Sequence, residues 1–368
     1  MLLKKSVRYC IINKGKRKEA NAVTFDMFLA DYGSLPSAYF KKNVISNPTE
    51  LFWSEELLAI LRLCGAKEEM IGERASDYER FLALCQALPQ LVGHPTRTWI
   101  ESVLAEHFLV KELPTEENVK DVWKMLCERL LENPISPNDL VSGAWLCDSL
   151  TVPNTLPHNV SPVLNGNLLL GTRAKNVAAW SAEIAATVAQ FSNAGCQKII
   201  VQLQDDFHFI SPSIYHVDRA LSLTKKDSEA YNLLTCQLVR ELCSAAQKND
   251  LLLVLVCNDN PAALVHLLEY AEESVGLSRI CWSVREASEA HALLAFTAKP
   301  HKSELFAVLS YETVMTEREL LQSIESWQMR YPVGRLCFLT KQDLRQTPYV
   351  QAHIAVMLDK LKQKSKIR

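Results

Sequence analysis

The sequence predicts an α/β protein: a (β/α)8 TIM barrel with a helical insertion after its first strand. Three observations predict it. Apolar runs of strand length alternate with helical stretches through the second half of the chain. With the run near the start there are eight of them, the number such a barrel requires. Between the first run and the second lies a long segment whose apolar residues recur at helical spacing instead.

Taken in order, residues 1–22 form a basic leader (Lys4, Lys5, Arg8, Lys14, Lys16, Arg17, Lys18), expected to be solvated and disordered. Residues 23–46 hold the first run, VTFDMFLAD. Residues 47–135 are the insertion. Ser76 or Asp77 caps a helix with Phe81, Leu82, Leu84, Cys85 and Leu88 on one face; Pro89 stops it and Gly93-His94-Pro95 turns the chain. Trp99, Val103, Leu104 and Phe108 line the next helix, and Val119, Val122, Trp123 and Leu126 a later one. Asn133-Pro134 and Ser136-Pro137 end the insertion.

Residues 136–362 carry the other strand runs: Ala144–Cys147, Leu168–Gly171, Lys198–Leu203, Leu251–Cys257, Arg279–Ser283, Leu305–Leu309 and Arg335–Leu339. Helices are expected at Val177–Ser192, Glu229–Gln247, Pro261–Val275, Arg285–Ala298, Glu317–Met329 and Pro348–Lys362. Thr151–Gly166 holds Pro153, Pro157 and Pro162 and is no ordinary helix. Residues 363–368 are a basic tail.

Composition narrows the function classes. The formal charge of −2 over 368 residues gives no electrostatic case for nucleic acid, and no apolar run reaches membrane-spanning length. Met1–Ala20 lacks the apolar core of a signal peptide. The eleven cysteines lack CxxC or zinc-like spacing, so they read as reduced thiols of a cytoplasmic protein.

One set of phrases is more specific. Gly72, Ala75-Ser76-Asp77-Tyr78-Glu79-Arg80-Phe81, Pro89, Gly93-His94-Pro95, Trp99 and Phe108 follow one another in an order similar to "G-ASDYEKF…P…GNP…HW…F". Upstream, Asn47-Pro48-Thr49-Glu50-Leu51 and Phe52-Trp53 look like "N-L-T-E-L-W-L". This wording resembles the bacterial uronate isomerases (glucuronate isomerase), an outlying branch of the amidohydrolase superfamily. Weaker likeness continues through Phe191–Cys196, Leu251–Asn260 and Gly334–Thr340. The resemblance implies a barrel interconverting D-glucuronate and D-fructuronate, or galacturonate and tagaturonate, at a metal held by His-x-His on the first strand and Asp on the last.

Those ligands are where the sequence departs. The phrase "D-Y-H-C-H-L" reads Asp31-Tyr32-Gly33-Ser34-Leu35, one residue shorter and without imidazoles, and "L-T-D" reads Leu339-Thr340-Lys341. Two further family histidines become Thr98 and Glu101, Arg62 is what remains of "GDHYKWR", and Gln197–Val201 replaces "RASDH". The expectation is a shortened, catalytically degenerate member without metal or cofactor, acting in binding or regulation on a sugar acid, another anionic small molecule or a partner protein, with a homo-oligomer left open. Pocket candidates at the strand ends are Asp31, Arg62, Arg173, Asp205, Asp206, His208, Asp259, Arg285, Lys341 and Asp343. The alternatives are an active isomerase with a rearranged or absent metal, its base drawn from Asp31, Asp205 or Asp343, and a different barrel reaction using Mg²⁺ on Asp205 and Asp206.

Overall fold

Local capping decides where the helices of residues 47–135 begin. Ser54 Oγ accepts from Leu57 N at 3.0 Å and opens α1 (Glu55–Leu63); α2 is the single turn Glu68–Ile71. At α3 (Asp77–Ala87), Ser76 Oγ accepts from Glu79 N while the Glu79 carboxylate accepts from Ser76 N at 2.7 Å, a reciprocal box worth about 1 kcal/mol. His94 Nδ1 accepts from Thr96 N at 3.1 Å ahead of α4 (Pro95–Phe108), which requires a neutral acceptor nitrogen; burial accordingly lowers the His94 pKa. With α5 (Val119–Glu132), these helices close on an apolar cluster of their own. Phe52 meets Trp99 edge to face at 5.5 Å, and Phe81 packs on Trp123 at 5.2 Å.

The computed structural model of the protein describes residues 7–11, 23–92, 94–153, 156–257, 260–277, 279–284, 305–310, 335–347 and 349. Outside the helical region it is an α/β structure built on one sheet. Its strands are β1 (Val7–Ile11), β2 (Val23–Ser34), β3 (Gly143–Leu146), β4 (Val160–Asn165), β5 (Lys198–Gln202), β6 (Leu252–Val256), β7 (Arg279–Val284), β8 (Leu305–Ser310) and β9 (Arg335–Asp343). They lie side by side in chain order. β1 runs antiparallel to β2 and the rest are parallel, and β2 pairs with β9 as well as with β3. The β2–β9 ladder is long, from Asp26 beside Arg335 to Ser34 beside Asp343. By contrast, β2 meets β3 only at Gly33 beside Trp145, and β4 meets β5 only at Leu164 and Asn165.

Helices α6 (Val177–Asn193), α7 (Ile214–Ser222), α8 (Ser228–Lys248) and α9 (Pro261–Val275) cover the sheet. Asn176, Asp227 and Asn260 cap α6, α8 and α9 by accepting from Ala179, Ala230 and Ala263 N–H. Trp180, Ile184, Val188 and Phe191 of α6 join Leu234, Leu238 and Leu242 of α8 in a second core cluster with the strands. Among the described residues no helix is long and apolar enough to cross a membrane.

Several expectations change. The run Leu168–Gly171 is not a strand: Gly166–Gly171 is a 3-10 turn burying Leu169 and Leu170, and the strand is Val160–Asn165, through Pro162. The proline fits for a reason of alternation. The carbonyls of Asn159 and Val163 accept from Gly143 and Cys147 N–H on the β3 side. Pro162 therefore turns its nitrogen to the other side, where the β5 ladder begins only two residues later. Within the supposedly disordered leader, Val7–Ile11 forms β1, because its alternating sequence finds an open edge on the long β2. Helix α7 was not expected. The helices expected at 285–298, 317–329 and 348–362 lie outside the described residues.

Candidate functional site

A cavity of about 570 Å³ opens at the carboxyl ends of the parallel strands. Tyr32 near the end of β2, Leu146 of β3, Asn165 of β4 and Gln202 of β5 reach it, and the loop after β5 adds Leu203, Gln204, Asp205 and Asp206. Asn167 and Ile200 complete the described wall. Strand ends converge there because every parallel strand delivers its last residue to the same face.

Tyr32 is 5% exposed, and its hydroxyl makes no hydrogen bond among the described residues. Burial pushes its pKa up to about 12, so it stays a neutral donor. Asn165 Oδ1 accepts from Asn167 N at 3.2 Å, which leaves its amide N–H groups without a partner among the described residues. Asn167 bridges β4 to β5: its Nδ2 donates to Gln202 O at 2.7 Å and its Oδ1 accepts from Gln202 N at 2.8 Å, adding a side-chain rung where the ladder is short. The Gln202 and Gln204 side chains are exposed and make no hydrogen bond among the described residues.

The loop itself is anchored from behind. Ser228 Oγ, at the start of α8, donates to Asp206 Oδ2 at 2.9 Å, and Asn232 Nδ2 lies 2.9 Å from His208 Nδ1. Asn260 Nδ2 donates to Phe207 O at 3.2 Å.

The candidate residues divide accordingly. Asp205 and Asp206 line the cavity; His208 faces α8 instead and is exposed. Arg173 is exposed on the segment leading to α6. Arg62 is not at a strand end: it sits on α1, exposed, in an ion pair with Glu68. The apolar spacing of EELLAILRL makes that segment a helix, and this outweighs a partial match to one family phrase. Asp343 does end β9, but it is 1% exposed and committed. Its two oxygens accept from Arg345 Nε at 2.9 Å and Nη2 at 2.6 Å. The other Arg345 donors reach Glu50 O, Leu51 O and Trp53 O at 2.9, 3.2 and 2.7 Å, so the guanidinium fastens the helical region to the end of β9. The side chains of Asp31 and Lys341, and residues Asp259 and Arg285 altogether, lie outside the described residues. Tyr32 stands in backbone register with Lys341.

Sequence reasoning missed Tyr32, the amides and Arg345. It searched for titratable groups, whereas the signal was an amide closing two apolar strands, VSPVLN and KIIVQ, and a carboxylate two residues before an arginine at the end of a third. Among the described residues no group of three His, Cys, Asp or Glu side chains is arranged to hold a metal ion. Gly33, where the first-strand phrase has its first imidazole, rests on β9's exit: a Cβ there would lie 2.5 Å from Leu344 Cα.

Comparison with known proteins places this architecture. Residues 53–146 match the family model described as glucuronate isomerase. The crystal structure of uronate isomerase from Thermotoga maritima is similar in fold, with a TM-score of 0.64 at 12% identity over 87% of this chain and 84% of that one. The chain is similar to the uronate isomerases, in sequence over part of its length and in fold. The uronate isomerase of Thermotoga petrophila is 28% identical over 226 residues, covering 50% of this chain and 48% of that protein. That of Streptococcus uberis is 30% identical over 111 residues, or 30% and 24%. The chain thus spans about half the length, or less, of the curated uronate isomerases it matches in sequence.

Proposed function

We propose that this chain is a catalytically degenerate uronate isomerase relative: a (β/α)8 barrel of the amidohydrolase superfamily with a helical insertion between its first two parallel strands, whose mouth binds a carbohydrate in a binding or regulatory role in the cytoplasm. The return of β9 to β2 supports the barrel, and the self-contained helical core at residues 47–135 supports the insertion. One observation carries the functional reading. The cavity at the strand ends offers a phenol, amides and carboxylates, groups that hydrogen-bond hydroxyls, around an apolar floor of Leu146 and Ile200 suited to the C–H face of a sugar.

This donor set does not fit a metal held by imidazoles. The packing of Gly33 against Leu344 leaves no room for a side chain at the position of the first imidazole. The family resemblance makes a sugar acid the first ligand to try. A second reading, an active isomerase with a recruited base, is favoured by the carboxylates of Asp205 and Asp206 on the cavity wall. Asp343 is not placed to serve it, because Arg345 occupies both of its buried carboxylate oxygens.

The test is turnover and calorimetric binding of D-glucuronate, D-galacturonate and their neutral counterparts by the full chain, with chelator and then with Zn²⁺ or Mn²⁺. Carbohydrate binding without conversion is expected. Conversion that chelator abolishes would replace this reading with a rebuilt metal site.

A further inference from the structure

Within the proposed carbohydrate-binding reading, on which this inference rests, the orientation of one amide decides what the cavity asks of its ligand. Side chains two apart on a strand share a face. Val163 of β4 is buried in an apolar cluster with Ile200 and Val254, and Asn165 is the polar group that ends the same column, beside Ile200 of β5 in register. The backbone fixes which way that amide points. Asn167 N can only donate, so the Asn165 atom 3.2 Å from it is the oxygen, and Nδ2 faces away from it. Nδ2 makes no hydrogen bond among the described residues, and it is not one of the buried polar atoms left without a partner, so solvent reaches it. Asn167 has no such freedom, because both of its amide atoms are committed to the Gln202 backbone at 2.7 and 2.8 Å. What Asn165 presents at the cavity wall is therefore a pair of N–H donors.

We infer that Asn165 is a specificity-determining residue of this cavity, donating from Nδ2 to a ligand oxygen that accepts but cannot donate: a carboxylate, or the carbonyl of an open sugar chain. A hydroxyl can satisfy the same N–H groups, yet it can equally turn its own proton towards an acceptor, so it is indifferent to what stands at this position. A carboxylate or a carbonyl is not. With a carboxylate the bond is also charge-assisted and stronger.

The experiment is calorimetry on the full chain with D-glucuronate, which has a carboxylate and an aldehyde, D-gluconate, which has only the carboxylate, and D-glucitol, which has neither. Asn165→Asp keeps the oxygen that accepts from Asn167 N and exchanges the donors for an acceptor, so the melting temperature should hold. It should weaken D-glucuronate at least about tenfold and leave D-glucitol within about twofold. Asn165→Ser withdraws the donors without adding charge and should weaken D-glucuronate about fivefold; it decides alone if the alditol does not bind or the Asp variant does not fold. D-gluconate following D-glucuronate assigns the contact to the carboxylate, and D-gluconate following D-glucitol assigns it to the carbonyl. Equal losses for D-glucuronate and D-glucitol in the Asp variant, or unchanged D-glucuronate binding in the Ser variant, would overturn the inference and leave the carbohydrate-binding reading in place. Failure of all three to bind the unaltered chain would overturn both.

Discussion

The helical region at residues 47–135 and the parallel sheet beside it differ in what makes each recognisable. The helical region announces itself through fixed words, because caps and turns need particular residues at particular spacings: Ser76 with Glu79, His94 before Pro95. The matching family model, residues 53–146, falls almost wholly on it. The sheet is built from apolar runs that many sequences satisfy, yet it holds the cavity. The family-model match and the cavity are therefore carried largely by different parts of this chain.

The comparison can be broken most sharply where the regions join. Arg345→Met would leave the Asp343 carboxylate buried without its partner and three carbonyls of residues 50–53 without a donor. A loss of about 3–5 kcal/mol is expected in urea unfolding, with the helical region and the sheet unfolding less cooperatively. Adding Asp343→Leu should recover part of that loss, since it removes the orphaned charge; no recovery would show that the carbonyl contacts dominate.

Gly33→Ala tests the sheet side alone. Its Cβ would strike backbone at Leu344 Cα, so about 1–3 kcal/mol should be lost by thermal melting, and an unchanged melting temperature would mean that β9's exit yields easily. Ser76→Ala tests the helical side, where about 1 kcal/mol should go and cavity binding should stay unchanged.

The smallest effect at neutral pH is the alkaline one. Burial raises Cys85 in the helical core and Cys147 beside the sheet to about 12, from 9.0. The folded state thus keeps protons that the unfolded chain releases. Stability from these thiols is intact below pH 9 and falls as pH rises from there towards 12. Cys85→Ala and Cys147→Ala should each flatten that alkaline limb; a limb unaffected by both would assign it to the buried tyrosines Tyr32 and Tyr39, also raised to about 12.

Much of the fold was legible. The strands at Lys198–Gln202 and Leu252–Val256 and the helix Pro261–Val275 follow directly from apolar runs and an Asn-Pro start. The misreadings share a cause: local signals outvoted long-range ones. Pro162 looked like a breaker because its unused side could be known only from two neighbouring strands, and Leu168–Gly171 looked like a strand because burial in a 3-10 turn leaves the same apolar trace. At the site, Asp205 and Asp206 were legible as charges after a strand. Tyr32 was not, because a tyrosine in an apolar strand reads as core until the cavity beside it is known.

The sparse ladders have a consequence for motion. β2 touches β3 at one register position and β4 touches β5 at two, and residues from all four strands line the cavity. Where few amides are locked, opening costs little, so backbone protons along those two seams should exchange with solvent sooner than those between β2 and β9. Trp145, whose indole Nε1 donates to Leu35 O at 2.8 Å, and Asn167, with its paired bonds to Gln202, act as rivets across the compliant joints. The cavity wall is thus the part of the sheet expected to exchange first, and a bound ligand would register as slower exchange at those seams.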